Sequence, residues 1–297
     1  MTELSEKILA SWQVRKTRDQ KTEFINFMKG ELPSLKVEEG GLGRNRNLIL
    51  GDPKTAKVIV GAHYDTCAAL PFPNFITPKN FLVYILYNLL LLAPMIALLA
   101  VFFNTLNLIF YFLGLGYAFA LSALMMLGKP NKHTANDNTS GVVALCELWA
   151  ALSDEEKAKT AFVFFDNEEN GLLGSKFYRS RHKTEIKDQL MINLDCISDG
   201  DYVMVIKSKT AQKRHGAIID SAFSAPDGKS VIYASSSNTL YPSDQSNFPH
   251  HVAIAALKKN KLVGYYLDRI HTKHDVCFDR ANVTLICDGI KRLIAGV

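Results

Sequence analysis

Charge is missing from one long stretch of this chain. From Phe81 to Gly128 there are 48 consecutive residues without one Asp, Glu, Lys, Arg or His. Charged residues are 21% of the 297, against a usual share of about 25%, and this stretch accounts for the shortfall. The remainder has ordinary globular composition and ample length for a buried core, which excludes a disordered chain. Cysteine is sparse: Cys67, Cys146, Cys196, Cys277 and Cys287 are odd in number and form no C-x-x-C. Neither a disulfide framework nor a thiolate zinc site is indicated, and reduced thiols in a cytosol-facing protein fit best. The net charge is +5, yet there is no run of five or six like charges and no basic stripe interleaved with aromatics, so no nucleic-acid partner is expected. The first 30 residues lack the apolar region of a secretory signal. No internal repeat and no low-complexity linker divides the chain.

What is present alternates. Leu4, Ile8, Leu9 and Trp12, then Phe24, Phe27 and Met28, recur at helical spacing and read as packing helices ending at Gly30 to Pro33. Short apolar runs at Asn47–Leu50 and Lys57–Ala62 read as strands. Beyond the uncharged stretch the expected order is helix 140–152, strand 160–165, helix 172–180, strands 190–194 and 202–206, helix 211–223, strand 230–233, strand 252–257, an extended stretch 262–267 and helix 283–294. This alternation predicts an α/β fold: a three-layer sandwich with a central, mostly parallel mixed sheet, helices on both faces, and an inserted two-helix apolar hairpin.

Polar residues stand where each buried strand stops being apolar, and in such sheets ligands bind at the carboxyl ends of the strands. His63-Tyr64-Asp65 leaves one strand; residues two apart share a side, so one suits a metal and the other its orienter. Asp137 lies in Asn136-Asp137-Asn138-Thr139-Ser140-Gly141, which reads as a helix cap or as a carboxylate offered to two cations. Glu168 and Glu169 follow the apolar Phe162–Phe165; adjacent carboxylates point different ways, so one suits a metal and the other a base. Asp195 closes Met191–Leu194, and His271 and His274 follow an extended stretch. Singly each is an ordinary strand end or surface histidine, but together they form an N/O donor set of the kind zinc prefers.

The order of these segments resembles the di-zinc exopeptidase family that includes bacterial leucyl aminopeptidases and, as relatives, glutaminyl cyclases. The segments are His63 to Thr66, Asp137 to Gly141, Glu168 to Ser175, Asn193 to Asp195, Ser243 to Phe248 and His271 to Asp275. The resemblance covers about residues 45–80 and 130–297, and the first 40 residues match only as generic helix. It implies two zinc ions, with manganese or cobalt left open by donor type. One ion is held by His63 and Asp195, the other by Glu169 and His271, and both are bridged by Asp137. Asp65 then orients His63, Glu168 is the general base acting on a bridging hydroxide, and the Asp137–Asn138 peptide bond is cis. Tyr241 and Ser243-Asp244 border the pocket, with Tyr241 a candidate oxyanion donor. His133, His250, His251 and His274 fit no slot. The implied activity is removal of N-terminal residues from peptides with a free amino group. Phe164-Phe165-Asp166 also suits a glutaminyl-peptide cyclase, whereas Gly171-Leu172-Leu173-Gly174-Ser175 follows the peptidase form. A non-catalytic membrane scaffold is the remaining alternative.

Phe81–Phe103 is long enough to span a bilayer, at about 35 Å as a helix against about 30 Å of hydrocarbon. Leu106–Leu127 is a second span, joined by the uncharged Asn104-Thr105-Leu106-Asn107. Domains of 1–80 with 129–297, interrupted by a transmembrane hairpin at 81–128, are therefore expected, with lipid contact through Phe81–Leu127. Lys79, Lys129 and Lys132 flank the open ends, which puts the catalytic domain of a two-span cell-membrane protein on the cytoplasmic side. Pro94 is a candidate kink and Gly116-x-x-x-Ala120 a candidate close approach. A buried hairpin serving as a lid or dimer interface is the competing reading, and homo-oligomerisation is left open.

Overall fold

The computed structural model describes residues 1–297. Thr2 and Thr17 cap helices α1 (Glu3–Ser11) and α2 (Arg18–Glu31), the second through reciprocal bonds between Thr17 and Gln20. Strands β1 (Lys36–Gly40), β2 (Asn45–Leu50) and β3 (Val58–His63) follow. Next come the apolar helices α3 (Phe81–Thr105) and α4 (Leu108–Leu127), then α5 (Gly141–Ala151), α6 (Asp154–Ala158), β4 (Thr160–Phe165) and α7 (Leu173–Arg181). The chain closes with β5 (Leu190–Leu194), β6 (Tyr202–Lys207), α8 (Lys209–Ala222), β7 (Ser230–Ser235), β8 (His251–Asn260), β9 (Gly264–Tyr266) and α9 (Arg280–Gly296).

The strands form one sheet in the order β1-β2-β4-β3-β5-β8-β6-β7, with β9 on β8. Its centre, β4-β3-β5-β8, is parallel, and antiparallel pairing appears toward the edges at β1-β2, β2-β4, β6-β8 and β8-β9. The sandwich follows from two-residue alternation. Leu48, Leu50, Val58, Val60, Phe162 and Phe164 face Ile8, Phe24, Leu145, Ile219 and Ile290 of five helices. Ile49, Ile59, Val163, Phe165 and Met191 face the other way, onto Tyr178 of α7 and Phe248. Strands covered on both faces read as continuous apolar runs, which is why β4 and β5 have the bounds their sequences suggest. Lys36–Gly40 carries one apolar residue and gives no such signal, so β1 emerges only from its pairing with β2. The extended stretch expected at 262–267 begins instead with a turn that leaves Leu262 exposed; Gly264–Tyr266 then pairs with β8 and Leu267 bridges Ile76.

The apolar segment forms two helices joined at Leu106, whose φ of 54° reverses the chain. The glycine that faces α3 is Gly114, where an added Cβ would touch Leu99, and not Gly116, beside which it would meet nothing within 4 Å. Tyr117 donates its hydroxyl proton to the Leu91 carbonyl (2.7 Å), in the turn before Pro94. No side chain of α3 is buried, and Gly114 is the one buried residue of α4. The helices therefore do not fill the core. Their bases are stitched to the sheet domain: Ala69 donates to the Lys129 carbonyl (2.8 Å), Asn131 to that of Cys67 (3.1 Å), and Lys16 to that of Met126 (2.8 Å).

Candidate active site

Three neighbouring parallel strand ends, of β4, β3 and β5, and a loop after β9 come together at one edge of the sheet. His63 is the last residue of β3, the Asp166–Glu169 turn follows β4, Asp195 follows β5, and His271 lies beyond β9. Asp137 comes from the turn before α5. There Asn138 caps the helix, accepting the Gly141 N–H (3.1 Å) and donating to the Leu194 carbonyl (2.8 Å), which leaves both Asp137 oxygens free. The Asp137–Asn138 peptide bond is cis.

The side chains singled out as ligands converge. His63 Nε2 lies 3.3 Å from Asp137 Oδ1 and 3.7 Å from Asp195 Oδ1. His271 Nε2 lies 3.2 Å from Asp137 Oδ2 and 3.3 Å from Glu169 Oε2. Asp137 thus stands between two imidazoles, one oxygen to each. These separations sit at or beyond the long end of N–H···O hydrogen bonds. They match the spacing of donors around a common ion with bonds of about 2.0–2.2 Å.

Electrostatics point the same way. Burial alone would lower the His271 imidazole, but Glu169 and Asp137 overturn this and carry it up to about 9. His63 is likewise raised, against its burial, by Glu168, Asp137 and Asp195. Burial and the crowding of carboxylates push Glu169 up to about 7 and Glu168 well above its usual range. Burial also holds Asp244 up at about 7; neither of its oxygens has a hydrogen-bond partner. Burial pushes Asp137 the same way, yet the two imidazoles hold it low. A buried group of carboxylates that forces both imidazoles toward the cationic form is a site short of positive charge. Its N/O donors fit divalent metal ions.

Asp65 reaches His63 through two atoms, and Tyr241 makes a contact of its own. His63 Nδ1 is paired with the main-chain oxygen of Asp65 (3.0 Å), and the Asp65 carboxylate is 3.7 Å away. The carboxylate also accepts the backbone N–H groups of Glu168 (3.0 Å) and Glu169 (3.2 Å), fixing the acidic turn. The Tyr241 hydroxyl donates to the Asp195 carbonyl (3.0 Å), so its proton braces β5 rather than facing the crevice.

Other supports gave little sign in the sequence. Asp275 accepts the N–H groups of Asn136 (2.9 Å) and Asp137 (3.0 Å), and its place in the final His-Thr-x-x-Asp was the available hint. The N-terminal helices, read as packing, also reach the site. Fully buried Arg15 donates to the Tyr64 carbonyl and the Thr139 hydroxyl. Lys21 binds Asp166 Oδ1 (2.6 Å) and Asn167 Oδ1 (2.8 Å) beneath the acidic turn. Both ends of the Lys21–Asp166 pair are buried. Lys21→Met, which strands one buried charge, is expected to destabilise the fold by about 3–5 kcal/mol. Thermal unfolding in detergent reads this out, and an unchanged midpoint refutes it.

An α/β sandwich with imidazoles and carboxylates gathered at its strand ends has the architecture of a metallo-exopeptidase. The sequence places the chain more narrowly: it belongs to peptidase family M28, whose profile matches residues 118–285. That span takes in Asp137, Glu168, Glu169, Asp195 and His271, while His63 and Asp65 precede the apolar helices. No curated protein sequence matches significantly. Among solved structures, a glutaminyl cyclase of Porphyromonas gingivalis is similar at TM-score 0.60 and 14% identity, over 99% of this chain and 95% of that one. The LapA aminopeptidase of Legionella pneumophila is similar at TM-score 0.57 and 13% identity, over 98% and 67%. The TET1 peptidase of Pyrococcus horikoshii, which assembles into a tetrahedron or an octahedral shell, is similar at TM-score 0.50 and 13% identity, over 98% and 99%. At such identities the likeness is one of fold.

Proposed function

We propose that this chain is a metal-dependent aminopeptidase anchored in a membrane, with residues 1–80 and 129–297 forming one catalytic domain interrupted by the hairpin. The observation that carries the reading is Asp137 held with one oxygen toward each imidazole, at 3.3 and 3.2 Å. His63 and Asp195 would hold one cation, Glu169 and His271 the other, and Asp137 both. Zinc suits these donors, and manganese or cobalt is compatible with them. When bound, such ions polarise the scissile carbonyl and ease deprotonation of water.

The protein's own part is proton transfer and positioning. Glu168, partly open to the crevice, takes the proton of the attacking water at a carboxylate oxygen and passes it to the departing amine. Burial raises its affinity for a proton above that of an ordinary carboxylate. Asp65 holds the backbone that presents Glu168 and Glu169, and Asp275 holds the backbone that presents Asp137.

Membrane anchoring rests on length and exposure. Helices of 25 and 20 residues are about 37 and 30 Å long, matching a hydrocarbon core of about 30 Å. Their side chains are left open by the rest of the chain. Exposed Phe81, Leu90, Phe112, Phe119 and Leu127 form a surface that water does not tolerate at this size. Lys79, Lys129 and Lys132 at the base, with no charge at the Leu106 turn, favour a cytoplasmic catalytic domain. Because the base adjoins His63, Asp137 and His271, short or apolar peptides at the membrane surface suit the crevice as substrates.

One preparation tests both parts. Full-length protein reconstituted in vesicles is expected to stay with the lipid after an alkaline wash. It is also expected to release the first residue of free-amino peptides but not N-acetylated ones, and to stop when a chelator is added. Ammonia released from glutaminyl peptides without a free amino acid would overturn the peptidase assignment, no turnover of either class would favour a scaffold, and loss from the lipid would overturn anchoring.

A further inference from the structure

The second half of the metal cluster contains a sulfur atom that neither the expected ligand set nor the catalytic reading uses. Cys67 lies four residues after His63 and is buried. Its Sγ, an oxygen of Glu169 and a nitrogen of His271 all lie within 4.8 Å of one another, although they come from three distant segments. Glu169 has a free valence at the same place: Oε2 faces His271, while Oε1 is buried with no hydrogen-bond partner. The thiol proton has no acceptor. The polar neighbour of Sγ is Asn131 Nδ2 at 3.9 Å, whose shorter contacts go to the carbonyls of His133 (2.6 Å) and Thr272 (2.9 Å). The other cysteine at the cluster is placed differently. Cys196 Sγ donates to Asp195 Oδ1 at 3.1 Å and is thereby committed.

We propose that Cys67 is a ligand of the second cation, beside Glu169, His271 and Asp137. The site then has two unlike halves: an N/O half at His63, Asp137 and Asp195, and an S/N/O half at Cys67. This rests on the metal-centre reading and extends it to metal choice. Binding replaces the thiol proton, Cys–SH and the dication giving the Cys–S–metal bond and one proton released to solvent. Sulfur bonds zinc at about 2.3 Å and imidazole nitrogen at about 2.0–2.1 Å, so donors on one tetrahedral ion stand about 3.5 Å apart, and the three donors, already within 4.8 Å of one another, have little distance to close. A thiolate favours zinc, cobalt and cadmium over manganese and magnesium, so the second half discriminates against hard ions where the first does not.

Cobalt(II) is the probe, because a cobalt–sulfur bond gives near-ultraviolet charge-transfer absorption that nitrogen and oxygen donors do not. Metal-free full-length protein in detergent is titrated with cobalt. The wild type is expected to bind two equivalents and show the sulfur band with one of them. The Cys196→Ser protein should keep the band. Cys67→Ser and Cys67→Ala should lose it while retaining the visible spectrum of the other cobalt, which also verifies their fold. Zinc affinity at the second half should fall at least about tenfold in Cys67→Ser, with manganese affinity nearly unchanged. Two bound cobalts without a sulfur band in the wild type, or a band that survives Cys67→Ser, would overturn the assignment of Cys67 alone. Failure to bind cobalt at all would overturn the metal centre with it.

Discussion

Glu168→Gln protein is expected to cleave peptides about 10²–10⁴ times more slowly than the wild type, the usual contribution of a positioned general base, with its metal content unchanged. The two halves of that expectation depend on different atoms. Glu168 stands next to Glu169 but does not share its partners: the oxygen facing His271 belongs to Glu169, and no imidazole lies within ion-pair distance of Glu168. Its backbone is held by Asp65, which the amide substitution leaves alone. Glutamine keeps the size and the turn but cannot accept a proton at neutral pH. The loss should therefore fall on kcat, with KM changing little, and be equal for all peptides. Elemental analysis beside steady-state kinetics separates the cases. Near-normal turnover would remove Glu168 from proton transfer, and loss of metal would show that it is a ligand instead.

The parts of this centre that were legible in the sequence are those announced by a change of pattern along one strand. Phe162–Phe165 running into Asp166–Glu169, and Met191–Leu194 into Asp195, mark the points where buried strands reach the crevice. A strand covered on both faces reads as a nearly continuous apolar run, and the polar residue inside β5, Asn193, donates to Ser243 and Gln245. The uncharged stretch was legible for the same reason. What stayed hidden depends on chain segments far apart. Lys21 looks like one more charge on an amphipathic helix until α2 packs beneath β4. Arg15 looks like a solvated cation until it is enclosed against Phe24, whose ring lies 5.2 Å from the guanidinium carbon. The use of Asp65, carbonyl to His63 and carboxylate to the acidic turn, depends on backbone groups about a hundred residues away that spacing alone does not reveal. Cys67 is similar: nothing in His63-Tyr64-Asp65-Thr66-Cys67 shows that its sulfur meets Glu169 and His271.

Asp137→Ala is expected to have the widest effect of any single change, because it removes a donor from both halves at once. Asp137 faces both imidazoles, and each half would be left short of a donor. The negative charge that draws two dications together would also be gone. The folded domain should nevertheless form. The cap on α5 is supplied by Asn138, and Asp275 binds the backbone of the turn, not its side chain. Losing cation chemistry worth several kcal/mol, at 1.36 kcal/mol per tenfold, lowers turnover by about 10³–10⁵. Metal linkage gives a readout independent of turnover. Zinc that binds only the folded state raises the unfolding temperature by mass action, so wild-type protein should melt higher with added zinc and the Asp137→Ala protein should not. A variant that still gains stability from zinc, holds two ions per chain and cleaves peptides at near-native rates would show that Asp137 joins nothing, and the two-cation centre would have to be abandoned.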